Sequence, residues 1–161
     1  MEVNKFFDFT GSIQPERGVL PKQIQSEWQL SDYIGQAKVR LGFGRNNYRI
    51  EPGLYFAGKP DKKNNVFVTA NYKLSFDKLR INLSGLNAWI LVLDTKGINV
   101  WCAAGKGTFG TRELIYRIEQ CRLKDRVDHK QIIVPQLGAP GIAAYEVKNA
   151  TGFNVNSFYT S

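Results

Sequence analysis

Ala88-Trp89-Ile90-Leu91-Val92-Leu93-Asp94-Thr95-Lys96-Gly97 begins as the most apolar run in the chain and ends on a polar turn. The apolar half reads as a strand buried in a sheet, and the polar half as the exit from its C-terminal end. In open α/β sheets, ligands gather just beyond those ends. The segment that follows, Asn99-Val100-Trp101-Cys102-Ala103-Ala104-Gly105-Lys106, therefore stands where such a fold places its site.

Working outward, Val66-Phe67-Val68-Thr69-Ala70 is a second strand. Ser75 is a suitable N-cap for a helix over 75–83, with Phe76, Leu79 and Leu83 on one face and Gly85 as its stop. Thr111 is placed to cap a helix over 112–121 whose inner face is Leu114, Ile115 and Ile118. Gln131-Ile132-Ile133-Val134-Pro135 is a third strand. Pro140 sits in the first turn of a helix over 141–150 that Thr151-Gly152 ends, and Phe153-Asn154-Val155 starts a fourth strand. Strands alternating with helices predict an α/β fold, a Rossmann-like and mostly parallel sheet with crossover helices.

Residues 1–40 have no clear period, and Gln14-Pro15-Glu16-Arg17-Gly18 and Leu20-Pro21 break regular structure. They read as an irregular lead-in with a short helix over 31–37, ahead of one domain over 41–161. Residues 39–50 alternate weakly. With the turn Glu51-Pro52-Gly53 and the strand-like Leu54-Tyr55-Phe56-Ala57 they suggest an antiparallel pair. Gly42-Phe43-Gly44 is followed by Asn47, so the dinucleotide fingerprint is absent. The last residues run on from a strand with no capping helix, which suggests a domain cut from a longer chain.

A chain of 161 residues, 43% of them hydrophobic and 22% charged, suits one domain with a real core. Its net charge of +8 is scattered, with no block longer than Lys62-Lys63, and reads as a solvated surface. No RNP, KH or helix-turn-helix pattern supports a nucleic-acid partner. Cys102 and Cys121 form neither a C-x-x-C nor a disulfide framework, so both are expected reduced, in the cytoplasm. No apolar signal segment opens the chain, and no apolar run approaches the ~20 residues of a membrane span.

Cys102 follows a strand-to-loop transition, and Ala103-Ala104 favour helix, so it can open a short helical turn. Backbone N–H groups at a helix start favour thiolate, which is both a nucleophile and a soft metal ligand. The plainer reading is a small buried hydrophobe. Gly105-Lys106-Gly107-Thr108 lacks the remainder of a phosphate-binding loop, which rejects nucleoside triphosphates. Asp94 is a candidate site acid or a turn residue, and Tyr72 and Lys73 lie beyond the same sheet edge. His129, the single histidine, allows a thiol enzyme built on Cys102 and His129.

The octapeptide resembles the signature N-[VI]-W-C-A-[AG]-G-K of the mercury-methylation corrinoid proteins. Tyr48-Arg49-Ile50-Glu51-Pro52-Gly53-Leu54-Tyr55, Val68-Thr69-Ala70-Asn71-Tyr72-Lys73-Leu74, Leu93-Asp94-Thr95-Lys96-Gly97-Ile98 and Ala150-Thr151-Gly152-Phe153 extend the likeness over residues 40–156. The wider fold is similar to the corrinoid-binding domain of the corrinoid iron–sulfur protein large subunit of the acetyl-CoA pathway. The resemblance implies a cobalamin cofactor, base-off, with Cys102 as axial thiolate ligand to cobalt on a cap helix near 99–106. Asn99, Val100, Trp101, Ala103, Ala104, Gly105 and Lys106 would shape that cap, with Asn71, Tyr72 and Asp94 nearby, and the nucleotide tail would be buried in the α/β domain. The implied activity is a corrinoid-dependent methyltransferase that delivers a methyl group to Hg(II) to form methylmercury. A methyl-folate-linked donor would supply the methyl, a ferredoxin-like 4Fe-4S protein would act as reductant, and the membrane would be reached through a C-terminal domain that this sequence does not contain. A corrinoid methyl carrier of one-carbon metabolism that does not act on mercury is the alternative.

Overall fold

The computed structural model describes residues 6–7, 13–14, 21–24 and 49–158. In chain order the elements are β1 (Phe6–Phe7), β2 (Ile13–Gln14), β3 (Lys22–Ile24), β4 (Gly53–Ala57), β5 (Val66–Ala70), α1 (Lys73–Asn82), β6 (Ala88–Leu93), α2 (Val100–Lys106), α3 (Thr111–Gln120), α4 (Leu123–Arg126), β7 (Gln131–Pro135), a 3₁₀ turn (Ala139–Gly141), α5 (Ala144–Thr151) and β8 (Asn154–Phe158). β1 and β2 form a separate antiparallel ribbon, and the other strands make one sheet in the order β3-β4-β6-β5-β7-β8. Every pairing in it is parallel except β4 with β6. The α/β class read from the sequence is the observed one.

The apolar run 88–93 supplies both faces of the sheet because side chains alternate along a strand. Ile90 and Val92 join Tyr55, Phe76, Leu79 and Leu83 under α1. Leu91 and Leu93 join Val66, Val68, Leu114, Ile118 and Val147 under α3 and α5. Ile90 to Leu93 are all fully buried. Each such side chain contributes roughly 1.5–3 kcal/mol of hydrophobic stabilisation.

Several boundaries differ from the sequence reading. α1 starts at Lys73 with Tyr72 as an extended N-cap, not at Ser75. Its first turn is held by the Lys73–Asp77 ion pair (2.8 Å), and Asp77 also pairs with Arg80 (2.9 Å), so a hydroxyl cap is dispensable. Thr111 lies inside α3 rather than capping it; Gly110 is the N-cap. The Thr111 hydroxyl instead accepts a bond from the Ala143 N–H at 2.8 Å. Pro140 seeds only the 3₁₀ turn, because Ile142 is extended and α5 begins at Ala144. Gly152 ends α5 in the left-handed conformation, as read. β4 pairs with β6 and β3, whereas Arg49 bridges Tyr72. Most of the partner strand expected for β4, and the helix over 31–37, lie outside the described residues. Within the stretch read as irregular, Lys22–Ile24 forms an edge strand.

The order of connections fixes where a ligand can enter. From β5 the chain crosses by α1 on one face to β6. From β6 it returns by α2 and α3 on the other face, past β5, to β7. Chain therefore leaves the neighbouring strands β5 and β7 toward opposite faces, and a crevice opens beyond their C-terminal ends. Among the described residues, no helix is long and apolar enough to cross a membrane.

Candidate functional site

Asn71 directly follows β5 and is a buried amide, 3% exposed. Its Oδ1 accepts from the Thr95 N–H (3.0 Å), the Thr95 hydroxyl (2.9 Å) and the Gly97 N–H (2.9 Å). Its Nδ2 donates to Asp94 Oδ1 at 3.3 Å. Asn71 thus clamps the turn 95–98, closed by the Ile98 N–H donating to the Thr95 carbonyl at 3.1 Å. The central residues Lys96 (φ 59°) and Gly97 (φ 71°) are both left-handed, which a type I′ turn requires. A side chain on Gly97 would also strike the Arg49 side chain, 2.6 Å from its Nε.

Asp94 stands beside this turn. It accepts from the Lys96 N–H (3.0 Å) and Lys96 Nζ (2.7 Å), and its own N–H donates to Glu113 Oε1 (2.8 Å). Burial pushes the Asp94 pKa up, but the Lys96 hydrogen bonds and the charges of Lys96 and Arg117 outweigh it and leave it below the usual carboxylate value.

The turn delivers the chain into α2. Asn99 is its N-cap: the Asn99 side chain accepts the Cys102 N–H at 2.9 Å. Cys102 is therefore the third helical residue, two positions past the one that opens the helix and still in its first turn. Gly107 ends α2 in the left-handed region (φ 77°), and the Thr108 and Phe109 N–H groups both donate to the Ala103 carbonyl. This folds Phe109 under the helix, fully buried against Val100 and Ala103. The outer face of α2 is open. Trp101 is 69% exposed, Gly105 and Lys106 are exposed, and Cys102 is half-buried.

Between the start of α2 and α1 lies a cleft of about 300 Å³. Thr69 of β5 and Pro135 of β7 line its floor, Ser75 and Lys78 one wall, and Asn99 and Trp101 the other. It occupies the crevice at the C-terminal ends of β5 and β7 and is mostly apolar, closed by Leu137 and Phe158.

The structure thus brings Asn99 to Lys106 together with Asp94 and Asn71 at one sheet edge. Tyr72 is there too, half-buried as the N-cap of α1. It does not bring His129 to Cys102. His129 stands before β7, where Nδ1 accepts the Gln131 N–H and Nε2 donates to the Asn64 carbonyl at 2.8 Å. The five residues of β7 span roughly 15 Å at about 3.3 Å per residue. A Cys102/His129 thiol enzyme is excluded by that separation, since a base must lie within hydrogen-bond reach of its nucleophile. Burial raises the Cys121 thiol to about 11, which leaves it unreactive. Sequence reasoning missed Thr95, Phe109, Lys78 and Leu137. The first two act through a turn and a helix end, and the others sit on elements distant in sequence.

The profile of the family described as CO dehydrogenase/acetyl-CoA synthase delta subunit matches residues 44–157. The acetyl-CoA decarbonylase/synthase complex subunit gamma of Methanopyrus kandleri is 30% identical over 130 residues, 80% of this chain and 28% of that protein. The subunit of the same description from Archaeoglobus fulgidus is 30% identical over 69% of this chain and 24% of its own. That of Methanocaldococcus jannaschii is 33% identical over 70% of this chain and 23% of its own. The chain spans about a quarter of the length of these relatives.

Proposed function

Because the chain belongs to the CO dehydrogenase/acetyl-CoA synthase delta subunit family, we propose that it is a corrinoid-binding domain that carries a methyl group in one-carbon metabolism. The observation that carries this reading is Cys102, held on a capped, rigid helix at the sheet edge beside a mostly apolar cleft.

The residues suit such a cofactor. Among the described residues no three His, Cys, Asp or Glu stand together to hold a free ion. A metal bound by Cys102 must bring its other ligands with it, as a macrocycle does. The outer face of α2 leaves room for one: a Cβ built on Gly105 or Gly107 meets nothing within 4 Å. A bound corrinoid supplies a cobalt centre that carries the one-carbon group. Cys102 would be its single soft protein ligand, with Asn99 fixing the helix start and Trp101 and Lys106 flanking the ring. The cleft would take the nucleotide tail, with apolar contact from Leu79 and Val100 and polar groups from Thr69, Ser75 and Lys78. Asn71 and Asp94 hold the 95–98 turn from behind, and Tyr72 stands at the start of α1.

A second reading is delivery of the methyl group to Hg(II), favoured by the octapeptide around Cys102. A thiolate is a strong, soft donor and suits transfer to a soft acceptor. Under either reading the partners are a methyl-folate-linked donor and a 4Fe-4S reductant, and the names of the relatives point to assembly with further subunits. Localisation at the cytoplasmic face of a membrane belongs to the mercury reading.

The test is the visible spectrum of the chain reconstituted with cobalamin, wild type beside Cys102→Ala. A spectrum distinct from free and base-on cobalamin, lost in the variant while cobalamin stays bound, supports thiolate ligation. Equal spectra with retained cobalamin leave a carrier without that ligand. No binding by either protein overturns the proposal. Methylmercury formed from Hg(II) and the methyl-loaded chain, and absent with Cys102→Ala, would decide for the second reading.

A further inference from the structure

Resting on the corrinoid reading, we infer that Gly141 is a positioning residue for Cys102, through a contact on the side of α2 away from solvent. The inner face of α2 packs on the 3₁₀ turn and the loop before it. A Cβ built on Gly141 would lie 2.3 Å from the Phe109 carbonyl oxygen and 3.2 Å from Ala104 Cα. Both are backbone atoms, so no rotamer change relieves the contact. Restoring an ordinary 3.4 Å spacing needs the turn and the Phe109 carbonyl to part by about 1.1 Å, while Ala104 Cα needs only about 0.2 Å. The turn is not free to retreat. The Thr111 hydroxyl at the start of α3 holds the Ala143 N–H at 2.8 Å.

Gly138 repeats the device on the same segment. A Cβ there would lie 2.5 Å from a Phe109 ring carbon and 2.8 Å from Val100 Cγ1. These are side-chain atoms, so the contact is softer. α2 has only seven residues, and Ala104 is two positions from Cys102. The Phe109 N–H is bonded to the Ala103 carbonyl at 3.1 Å, so a shift at Phe109 is passed to the helix beside the thiol. The same segment contributes Leu137 to the cleft. One loop thus touches the cleft on one side and supports the helix of the thiol on the other, and a ligand site needs its geometry held to about 0.5 Å.

The experiment compares wild type, Gly141→Ala, Gly138→Ala and Cys102→Ala with two readouts. The first is the visible spectrum with bound cobalamin. The second needs no cofactor: the rate at which a colorimetric disulfide reagent labels Cys102. Gly141→Ala is expected to keep its circular dichroism and bind cobalamin but lose the Cys102-dependent spectrum. Its labelling rate should change by about threefold or more. Gly138→Ala should move both readouts in the same direction by less. Wild-type values of both readouts in a folded Gly141→Ala protein overturn the inference. Should Gly141→Ala not fold, Gly138→Ala carries the test, and wild-type values in it overturn the inference equally. If wild type itself shows no Cys102-dependent spectrum, the corrinoid reading fails separately, and the labelling rate still decides the role of Gly141.

Discussion

Replacing Asn71 by alanine removes the acceptor that three donors share. The Thr95 hydroxyl has a second acceptor in the Ile98 carbonyl at 2.7 Å, so its loss is slight. The Thr95 and Gly97 N–H groups lose the partner they have on Asn71, and Thr95 is wholly buried. A buried donor left unsatisfied costs about 1–3 kcal/mol, and the Gly97 N–H is only half-buried, so Asn71→Ala should cost about 2–3 kcal/mol in all. Thr95→Val removes only the hydroxyl and should cost about 1 kcal/mol. Urea unfolding followed by tryptophan fluorescence gives both values. A cost for Asn71→Ala no larger than that for Thr95→Val would refute the view of Asn71 as the clamp of this turn.

Asn99→Ala removes the cap of a seven-residue helix and should cost about 1 kcal/mol, with faster amide exchange at Cys102; unchanged exchange would count against the cap. A thiol reagent at pH 8 should label one cysteine in the native chain and two in denaturant, because burial holds Cys121 at about 11. Native labelling should vanish in Cys102→Ala, and persistence of a fast thiol there would contradict the burial of Cys121. The folded pKa of Asp94 lies below the ordinary 3.8, so its stabilisation is complete above that value and is lost as pH falls through the folded value. Asp94→Asn should therefore flatten the acid limb of stability against pH, and identical limbs in urea titrations would refute the Lys96 pairing. His129→Ala should leave cobalamin binding intact, because His129 lies at the far end of β7; loss of binding would contradict that placement.

The strands were legible because their apolar runs are uninterrupted: β5, β6 and β7 match the sequence reading residue for residue. Helix starts were not, because they depend on tertiary bonds. Ser75 and Thr111 have capping chemistry, yet ion pairs within α1 replace the first and the Ala143 N–H takes the second. The place of Asn99 to Lys106 beyond a strand end followed from the sequence, since it needs only the strand and its exit. Asn71 enters the site through the family resemblance alone. That it works through the 95–98 turn shows only when the bonds of Thr95 and Gly97 are traced. Gly138 and Gly141 left no signal, because a glycine needed for close approach looks in sequence like one in any loop. The pairing of β4 with β6 was equally hidden, since no local turn joins them.

The strand order also separates local strand pairings from distant ones. β5 and β6 are neighbours joined by one short helix, whereas β7 reaches β5 only after the intervening residues 71–130 have been placed. Closing the larger loop costs more chain entropy, and non-local parallel pairing is slow. During synthesis the β4–β6–β5 half can assemble while β7 is still unmade. The cleft takes Pro135, Leu137 and Phe158 from the late half, so its second wall arrives last. A nascent or partly unfolded chain would therefore have a sheet before it has the complete cleft.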